Sequence, residues 1–423
     1  MHENQPLRGT GSASDVQEAG PGAPGAPGAR AMRVGQRAKP GRVVARVILA
    51  LLFCLGCFLS LVPLGRAVMR SSLLLPALLS ASSPAPLKLI GDPVRYTSRT
   101  LSTPNGPVYL DIYEPATPAP PIPGGREAII NVVGVGYYRH DPQLINLSES
   151  FAREGIVVVN IGTPAMFKFK ISAQDAQAVV RTFELMEHWP GVNPRHIGLL
   201  VICAGITPAS LAAADPRIRD RVAFIAVLAG YFDVAELLRN LGTRSQVING
   251  HVQPWHADST PLYTLARTVS DLLTPTESRL IEGAFPLGKY NPPLTRQQQA
   301  RLSPAAAAFY HLLEGDEPGS VDRNLAALSP QMKALLVRLS PKSVIGQIRA
   351  PIYLLHERND TIVPFSQSLE FAGALERLHH PYTLAGYGIF SHVTVESNLG
   401  LAQWLSDGPK LFMAITRVVQ AGS

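Results

Sequence analysis

The sequence predicts an α/β fold with a mostly parallel sheet, helices on both faces, an inserted helical cap and one N-terminal transmembrane helix. Three observations support this fold class. From residue 93 onward short apolar runs alternate with helical stretches, which is typical of a parallel sheet covered by helices. Between residues 233 and 348 the pattern is mainly helical, which indicates an insertion. Near the N-terminus an uncharged apolar run covers residues 47–64.

The composition allows one large core without covalent or metal reinforcement. The chain has 423 residues, of which 46% are hydrophobic. Its three cysteines are Cys54, Cys57 and Cys203, and the first two lie inside the apolar run. No disulfide framework is expected from this spacing. The cysteine usage suits a reducing and an oxidising compartment equally well.

Residues 1–42 are predicted to form a disordered basic arm, because they are rich in Gly, Ala, Pro and Arg and almost free of large apolar side chains. Much of the formal charge of +7 lies in or next to this arm. The basic residues here are Arg8, Arg30, Arg33, Arg37, Lys39, Arg42 and Arg46, and the acidic residues are Glu3, Asp15 and Glu18. Basic residues elsewhere are scattered, and no nucleic-acid-binding motif is present. No nucleic-acid partner is therefore expected.

Residues 43–64 are predicted to form a transmembrane helix. The apolar run inside them is just long enough to cross a hydrocarbon core at about 1.5 Å per residue. A cleaved signal peptide is the alternative, but its apolar region and its basic region are both usually shorter than those found here. The lipid bilayer is accordingly an expected partner.

Flanking charges predict how this helix is oriented. Arg42 and Arg46 precede it, so the positive-inside rule places the N-terminal arm in the cytoplasm. The folded domain would then lie on the extracytoplasmic side, periplasmic or lumenal, of a single-pass membrane protein. Arg66 and Arg70 on the far side weaken the charge bias. Residues 65–92 are expected to form a juxtamembrane linker.

The α/β domain is predicted in two parts, residues 93–232 and 349–423, separated by the cap over 233–348. The expected strands are 93–101 and 107–114, joined by a turn at 104–106, and then 128–133, 156–161, 197–202, 222–229, 351–356 and 381–385. The expected helices are 141–153, 172–188 and 204–214 in the first part, 234–241, 260–272, 296–314 and 327–346 in the cap, and 366–378 and a helix from about 398 in the second part.

Cys203 is the candidate nucleophile. A nucleophile elbow requires a strand, a sharp turn that carries the nucleophile, and a helix, with small residues beside the turn. The strand over 197–202 is followed by Cys203, and Ala204 and Gly205 then lead into a helix. The alternative is that Cys203 is a small buried hydrophobic residue, which is the commonest role of a free cysteine.

An acid and a histidine follow Cys203 in the order that this elbow requires. Asp360 comes after the strand over 351–356, where a carboxylate would face the active-site edge of the sheet. Glu357 is a weaker rival because it is closer to the strand. His392 lies in the loop after the last strand and is the candidate base. His379 and His380 precede that strand, and we expect them at the surface.

Together these motifs resemble the α/β-hydrolase superfamily, and the resemblance covers about residues 93–420. The segment from Asp360 to Pro364 is similar to the family's acid loop, and His392 to its terminal histidine. A cysteine in the elbow is similar to dienelactone-hydrolase-like enzymes and, more distantly, to polyhydroxyalkanoate synthases. Two departures are Val201, where a small residue is usual and the turn would be crowded, and Ile206, where the synthases carry glycine.

The resemblance implies a Cys-His-Asp triad and a thioacyl-enzyme intermediate. Cys203 would attack an acyl carbonyl, His392 would take its proton, and Asp360 would orient the imidazole. Backbone N–H groups of Ala204 and of Gly134 or Val135 would form the oxyanion hole. Gly205 and Val201 would shape the elbow. No metal-site or nucleotide-binding motif appears in a suitable setting, so no metal and no cofactor are expected.

Three functions follow from this reading. The first is a membrane-anchored hydrolase that cleaves ester, thioester or lactone bonds of a small or lipophilic acyl substrate. The second is an acyltransferase that uses the same triad, and the sequence does not separate it from the first. The third is a non-catalytic hydrolase-like domain that serves in binding or as a scaffold. Val201 motivates it, and so does the segment 133–136, which keeps the glycine of the family's oxyanion segment but lacks its histidine.

Overall fold

The structure, a computed structural model, describes residues 40–78, 85–121, 124–392, 394–395 and 400–422. The chain divides into two compact units, residues 1–54 and 55–423. Most of the predicted N-terminal arm lies outside the described residues. The strands are β1 Val94–Thr103, β2 Gly106–Pro115, β3 Arg126–Val132, β4 Val157–Gly162, β5 Val192–Ile202, β6 Ile225–Leu228, β7 Ser245–Ile248, β8 His251–Pro254, β9 Ile352–Glu357, β10 Tyr382–Tyr387, β11 Phe390–Ser391 and β12 Thr394–Val395.

The helices alternate with these strands along most of the chain. They are α1 Pro40–Leu61, α2 Pro63–Leu78, α3 Ala85–Ile90, α4 Pro142–Arg153, α5 Pro164–Phe167, α6 Ala176–Glu187, α7 Ile206–Ala213, α8 Val234–Thr243, α9 Ser259–Val269, α10 Pro275–Ala284, α11 Arg296–Gln299, α12 Pro304–Glu314, α13 Val321–Ala327, α14 Pro330–Leu339, α15 Ser366–Arg377 and α16 Leu401–Gly422.

An eight-stranded sheet forms the centre of the second unit, in the order β1-β2-β4-β3-β5-β6-β9-β10. The strand β2 is antiparallel to both of its neighbours, and the remaining pairs in the sheet are parallel. The predicted α/β fold with a mostly parallel sheet is therefore confirmed. Parallel strands end at the same edge, so the loops after β3, β5, β9 and β10 meet at one side of the molecule.

Helices cover both faces of the sheet because its central strands are apolar on both sides. Every residue of β4 is buried. On β5, Leu199 and Val201 belong to the main core cluster, which also holds residues of α6, α7 and α15. Leu200 points to the other face, where it packs with residues of α4. The long helix α16 also contacts this second face.

The segment between β6 and β9 contains seven helices, α8 to α14, and the antiparallel hairpin β7–β8. The hairpin was not predicted. Its turn residues Asn249 and Gly250 both have positive φ, 53° and 81°, and Asn-Gly is the pair that such a two-residue turn favours. The helix α10 was also not predicted. It begins with a capping box in which Thr274 and Glu277 bond each other's backbone N–H.

The expectation of one transmembrane helix over residues 43–64 is corrected. No single helix among the described residues is long and apolar enough to cross a membrane. A bent pair, Val47–Leu61 with Pro63–Pro76, meets the length and composition requirement only when the two helices are taken together. The break has a local cause, because Pro63 has no N–H to donate and disfavours helical geometry at Val62.

Residues 65–92, expected as a linker, instead contain α2 and α3. Leu74 is fully buried and Ala67 is 1% exposed, and both pack with Leu411 and Ile415 of α16. The guanidinium of Arg70 lies 2.6 Å from the carboxylate of Glu127 at the start of β3. The helix α2 is therefore attached to the α/β domain by apolar packing and by an ion pair.

Candidate active site

The turn after β5 has the geometry of a nucleophile elbow. Cys203 follows Ile202 directly and has a φ of 52°, which a residue other than glycine rarely adopts. A single 3₁₀ turn, Cys203–Gly205, then leads into α7. This strained conformation lifts Cys203 out of the strand at the carboxyl edge of the sheet, which is how an elbow presents its nucleophile.

Gly205 allows the elbow to lie directly against β3. A Cβ atom at Gly205 would overlap the carbonyl oxygen of Val132 and would lie 2.8 Å from that of Val133. Val201, which was expected to crowd the turn, is instead fully buried within β5, where it pairs with Val132 and Val227. Its side chain belongs to the main core, so the turn forms beside a valine.

His392 connects Cys203 to Asp360. Its Nδ1–H donates to Oδ2 of Asp360 at 2.7 Å, and the nearby side chain of Cys203 interacts electrostatically with its ring. Burial acts to lower the pKa of His392, but the charges of Cys203 and Asp360 and the hydrogen bond to Asp360 outweigh burial and raise it to about 10. The three predicted residues are thus brought together, although they come from distant parts of the chain.

Asp360 is held by the loop that follows β9. Its side chain is fully buried, and its Oδ1 accepts hydrogen bonds from the N–H groups of Ile362 and Val363 at 2.7 and 3.1 Å. Burial acts to raise its pKa, but the interactions with His392 and His356 prevail and hold the pKa well below its usual range. The carboxylate is therefore kept ionised and fixed in position.

Two residues that support Asp360 were not recognised in the sequence. His356 is fully buried in β9, and its Nε2 lies 3.3 Å from Oδ2 of Asp360 and 3.0 Å from the carbonyl oxygen of Val363. Both neighbours are acceptors, so this nitrogen carries a proton. Trp255, just after the β7–β8 hairpin, donates from Nε1 to the carbonyl oxygen of Asp360 at 2.7 Å. No local motif marks either residue, because both act through contacts distant in sequence.

The segment after β3 lies beside the elbow, as the oxyanion assignment requires. A Cβ atom on Gly134 would lie 3.1 Å from Cβ of Cys203 and 3.4 Å from the backbone nitrogen of Ala204. Val135 follows Gly134 and borders the same cavity as Cys203. The segment is held by Arg139, whose guanidinium donates two hydrogen bonds of 2.7 Å to the buried carboxylate of Asp111 in β2.

The alternative acid Glu357 and the two other histidines near the last strand are not part of this triad. The side chain of Glu357 accepts the backbone N–H of Asn359 at 3.2 Å, while the carboxylate that reaches His392 is that of Asp360. His379 is exposed, and His380 is partly buried and bonds the carbonyl oxygen of Ala350. Within the described ranges, no group of three or more His, Cys, Asp or Glu side chains is arranged to hold a metal ion.

A cavity of about 360 Å³ opens beside the candidate triad. Cys203 and His392 border it, together with Gly134, Val135 and Tyr138. Burial and the nearby charge of Cys203 raise the pKa of Tyr138 to about 12, so its hydroxyl remains protonated at neutral pH. A substrate that enters this cavity has direct access to the thiol group.

Comparison with known proteins finds distant likeness to solved structures and no match to a known sequence or family. No protein-family model matches the sequence, and no curated protein sequence is similar to it. Among solved structures, 2,6-dihydroxy-pseudo-oxynicotine hydrolase shares 17% identity at a TM-score of 0.42, over 78% of this chain and 69% of that one. Esterase B of Lactobacillus rhamnosis shares 16% identity at a TM-score of 0.44, over 78% of this chain and 88% of that one.

A puromycin-hydrolysing peptidase of Mycobacterium tuberculosis shares 15% identity at a TM-score of 0.44. The match covers 77% of this chain but only 38% of the peptidase, so the chain spans well under half of that protein. Each of these three likenesses has a TM-score below 0.5. At such identities the likeness does not indicate which bond this chain cleaves.

Proposed function

We propose that this protein is a hydrolase that cleaves ester, thioester or lactone bonds with Cys203 as its nucleophile. One observation carries the proposal. Cys203 occupies a strained turn at positive φ, and His392, which borders the same cavity, hydrogen-bonds the buried carboxylate of Asp360 at 2.7 Å. A buried cysteine with a purely structural role requires neither the strained turn nor this histidine–aspartate pair.

The reaction proceeds in two steps. The proton of the Cys203 thiol passes to His392, whose imidazolium Asp360 stabilises, and the Sγ of Cys203 then attacks the acyl carbonyl carbon. The backbone N–H groups of Ala204 and of Gly134 or Val135 bind the oxyanion, each donor being worth about 3–4 kcal/mol. The carbonyl re-forms as the leaving group departs with the proton from His392. A water molecule, deprotonated by His392, then attacks the thioacyl carbonyl and releases the carboxylic acid and free Cys203.

Tethering to a membrane is also part of the proposal. The segment Leu49–Phe53 of α1 presents large apolar side chains to the surface, and Leu49 and Phe53 are 71% and 73% exposed. Isolated exposed apolar residues are ordinary, but a continuous row of them is typical of a surface that another apolar phase covers. The bent helix pair and the basic arm before it agree with attachment to a bilayer.

The catalytic proposal is tested on the full chain with p-nitrophenyl acetate. Cys203→Ala is expected to abolish turnover, and Cys203→Ser to leave a small fraction, because serine ionises far less readily than cysteine. Cys57→Ala is the matched control, since it removes a thiol in α1 and should retain the parent rate. Equal turnover by Cys203→Ala and the parent would mean that Cys203 is not the nucleophile.

Acyl transfer is distinguished by the products. With an added alcohol or thiol acceptor, a hydrolase still releases mainly free acid, whereas an acyltransferase gives mainly the new ester or thioester. Membrane attachment is tested by flotation of the full chain with lipid vesicles. Reporter fusions at each terminus test orientation, and a cytoplasmic C-terminal reporter would contradict the extracytoplasmic placement of the domain.

A further inference from the structure

The cavity beside the candidate triad continues over one face of the sheet. Beyond Cys203 and His392 it is bordered by β5, β6 and β9 on one side and by α4 and α16 on the other. The side chains that define it best are Leu200, Ala226 and Leu355 from the sheet and Leu147, Phe151 and Ile415 from the helices. The space therefore lies in a layer where an α/β domain is ordinarily filled by side chains.

Strand register explains why there is room in this layer. Ala226 in β6 pairs with Leu200 in β5 and with Tyr353 in β9. Neighbouring residues in parallel register point to the same face, so a small side chain stands between two larger ones. The methyl group of Ala226 leaves space over the centre of the sheet, and the helix above it, α16, also borders the cavity.

The polar residues that border the cavity come from the active-site loops and from the first turns of α4 and α9, apart from Tyr387 at the end of β10. Asp141 and Asp258 cap the N-termini of α4 and α9, and Thr361 belongs to the loop of Asp360. The lining residues contributed by β5, β6, β9 and α16 are apolar, and so are the deeper ones of α4. Water has few partners in such a space, whereas a hydrocarbon chain would restore the contacts that the lining lacks.

We propose that this cavity binds the hydrocarbon chain of a fatty acyl group, so that the substrates are long-chain acyl esters or thioesters. This inference rests on the proposed hydrolase function. The acyl side of the substrate is favoured over the leaving group for a mechanistic reason. The leaving group must depart after the first step, whereas the acyl chain remains bound through Cys203 until water attacks.

The test is a series of p-nitrophenyl esters from acetate through octanoate to dodecanoate, assayed with the full chain. The parent is expected to show a kcat/KM that rises with acyl length. Ala226→Leu and Val418→Phe fill the cavity from the sheet and from α16. Each should lower the ratio of kcat/KM for dodecanoate to that for acetate by about tenfold or more, and circular dichroism checks that the variant is folded.

Val337→Phe is the matched control, because Val337 lies in α14, is 62% exposed and does not border the cavity. It should retain the parent's chain-length profile. A parent that turns over acetate and dodecanoate alike, or cavity variants that keep the parent profile, would overturn the acyl-chain assignment and leave the hydrolase proposal intact.

A parent that hydrolyses none of the esters would contradict the proposed function but not decide the cavity. In that case the cavity is tested by the binding of dansyl-labelled undecanoic acid to the Cys203→Ala variant, which lacks the proposed nucleophile. Saturable binding that Ala226→Leu removes supports a fatty acyl site. No binding, or equal binding with and without Ala226→Leu, contradicts it.

Discussion

The imidazole of His392 lies between two groups that favour its charged form. The buried, ionised carboxylate of Asp360 hydrogen-bonds the ring, and the charge of Cys203 also favours the imidazolium. A histidine with an ordinary environment has a pKa of 6.5, and here it is raised to about 10. The contribution of this group to the free energy of unfolding is therefore fully present below pH 6.5 and is lost as the pH rises through 10.

This electrostatic arrangement predicts the titration of His392 by NMR. In the parent the midpoint should lie near pH 10. Cys203→Ala and Asp360→Asn each remove a charge that favours the imidazolium, so each should lower the midpoint. His379→Gln, at an exposed site, is the control and should leave the midpoint in place. An unchanged midpoint in both active-site variants would show that neither group interacts with the ring.

Gly205 gives a second prediction at the residue scale. Gly205→Ala places a Cβ atom against the carbonyl oxygens of Val132 and Val133, which are backbone atoms and cannot turn aside. We expect a loss of about 2 kcal/mol or more in the free energy of unfolding, together with a loss of ester turnover. Chemical denaturation measures the first quantity.

The control for that prediction is Gly283→Ala in α10. Gly283 is exposed, and a Cβ atom there would meet no other atom within 4 Å. The same substitution should stabilise the protein by roughly 0.5–1 kcal/mol, because alanine loses less conformational freedom in a helix. Similar effects at both glycines would mean that the elbow accommodates a side chain.

Packing between helices determines which part of the N-terminal region belongs to the folded domain. The helix α2 buries Leu74 against α16, whereas Met69 on the same helix is 42% exposed. We expect Leu74→Ala to lower the free energy of unfolding by about 2–5 kcal/mol. Met69→Ala should change it by less than about 0.5 kcal/mol. If Leu74→Ala is also neutral, α2 does not pack against the domain in solution.

The N-terminal helices also show how one residue alters an element. The apolar run is continuous in sequence, but Pro63 divides it, and the side chains after the break alternate between exposed and buried. Hydropathy alone averages over this difference, because it measures composition and not contact. The proposed membrane attachment therefore involves the exposed apolar side chains of α1 rather than one straight span over residues 43–64.

At the scale of the whole molecule, Asp407 connects the last helix to two loops at the sheet edge. Its Oδ2 accepts from Arg358 at 2.6 Å and from the N–H of Gly388 at 2.9 Å, and its Oδ1 accepts from Lys410 at 2.8 Å. Burial acts to raise its pKa, but these partners lower it from 3.8 to about 2. The ionised carboxylate stabilises the fold above pH 3.8, and that contribution is lost as the pH falls towards 2.

Chemical denaturation at several acidic pH values tests this role. In the parent the free energy of unfolding should fall as the pH is lowered through that range. Asp407→Asn should already be less stable at neutral pH and should show a weaker dependence on acid. Asp322→Asn, at a side chain that is 87% exposed, is the control and should follow the parent. Parallel curves for Asp407→Asn and the parent would contradict the assignment.

Much of the sheet could be predicted because it depends on patterns within short segments. Apolar runs of strand length, separated by helical stretches, predicted a mostly parallel sheet. The order of Cys203, Asp360 and His392 after successive strands predicted that their side chains could meet. The Asn249-Gly250 pair is also a local pattern, typical of a two-residue hairpin turn. It was not recognised because the segments on either side have a helical pattern.

The sequence by itself determined the β5–Cys203–α7 elbow and the chain order of the candidate triad, because strand, turn and helix preferences act between neighbouring residues. Only the tertiary structure decided that His392 reaches Asp360 at 2.7 Å, that His356 supports the same carboxylate, and that α2 packs on the domain. It also decided that a cavity lies over Ala226. These features depend on contacts between residues far apart in the chain, and on space between layers, which no local pattern specifies.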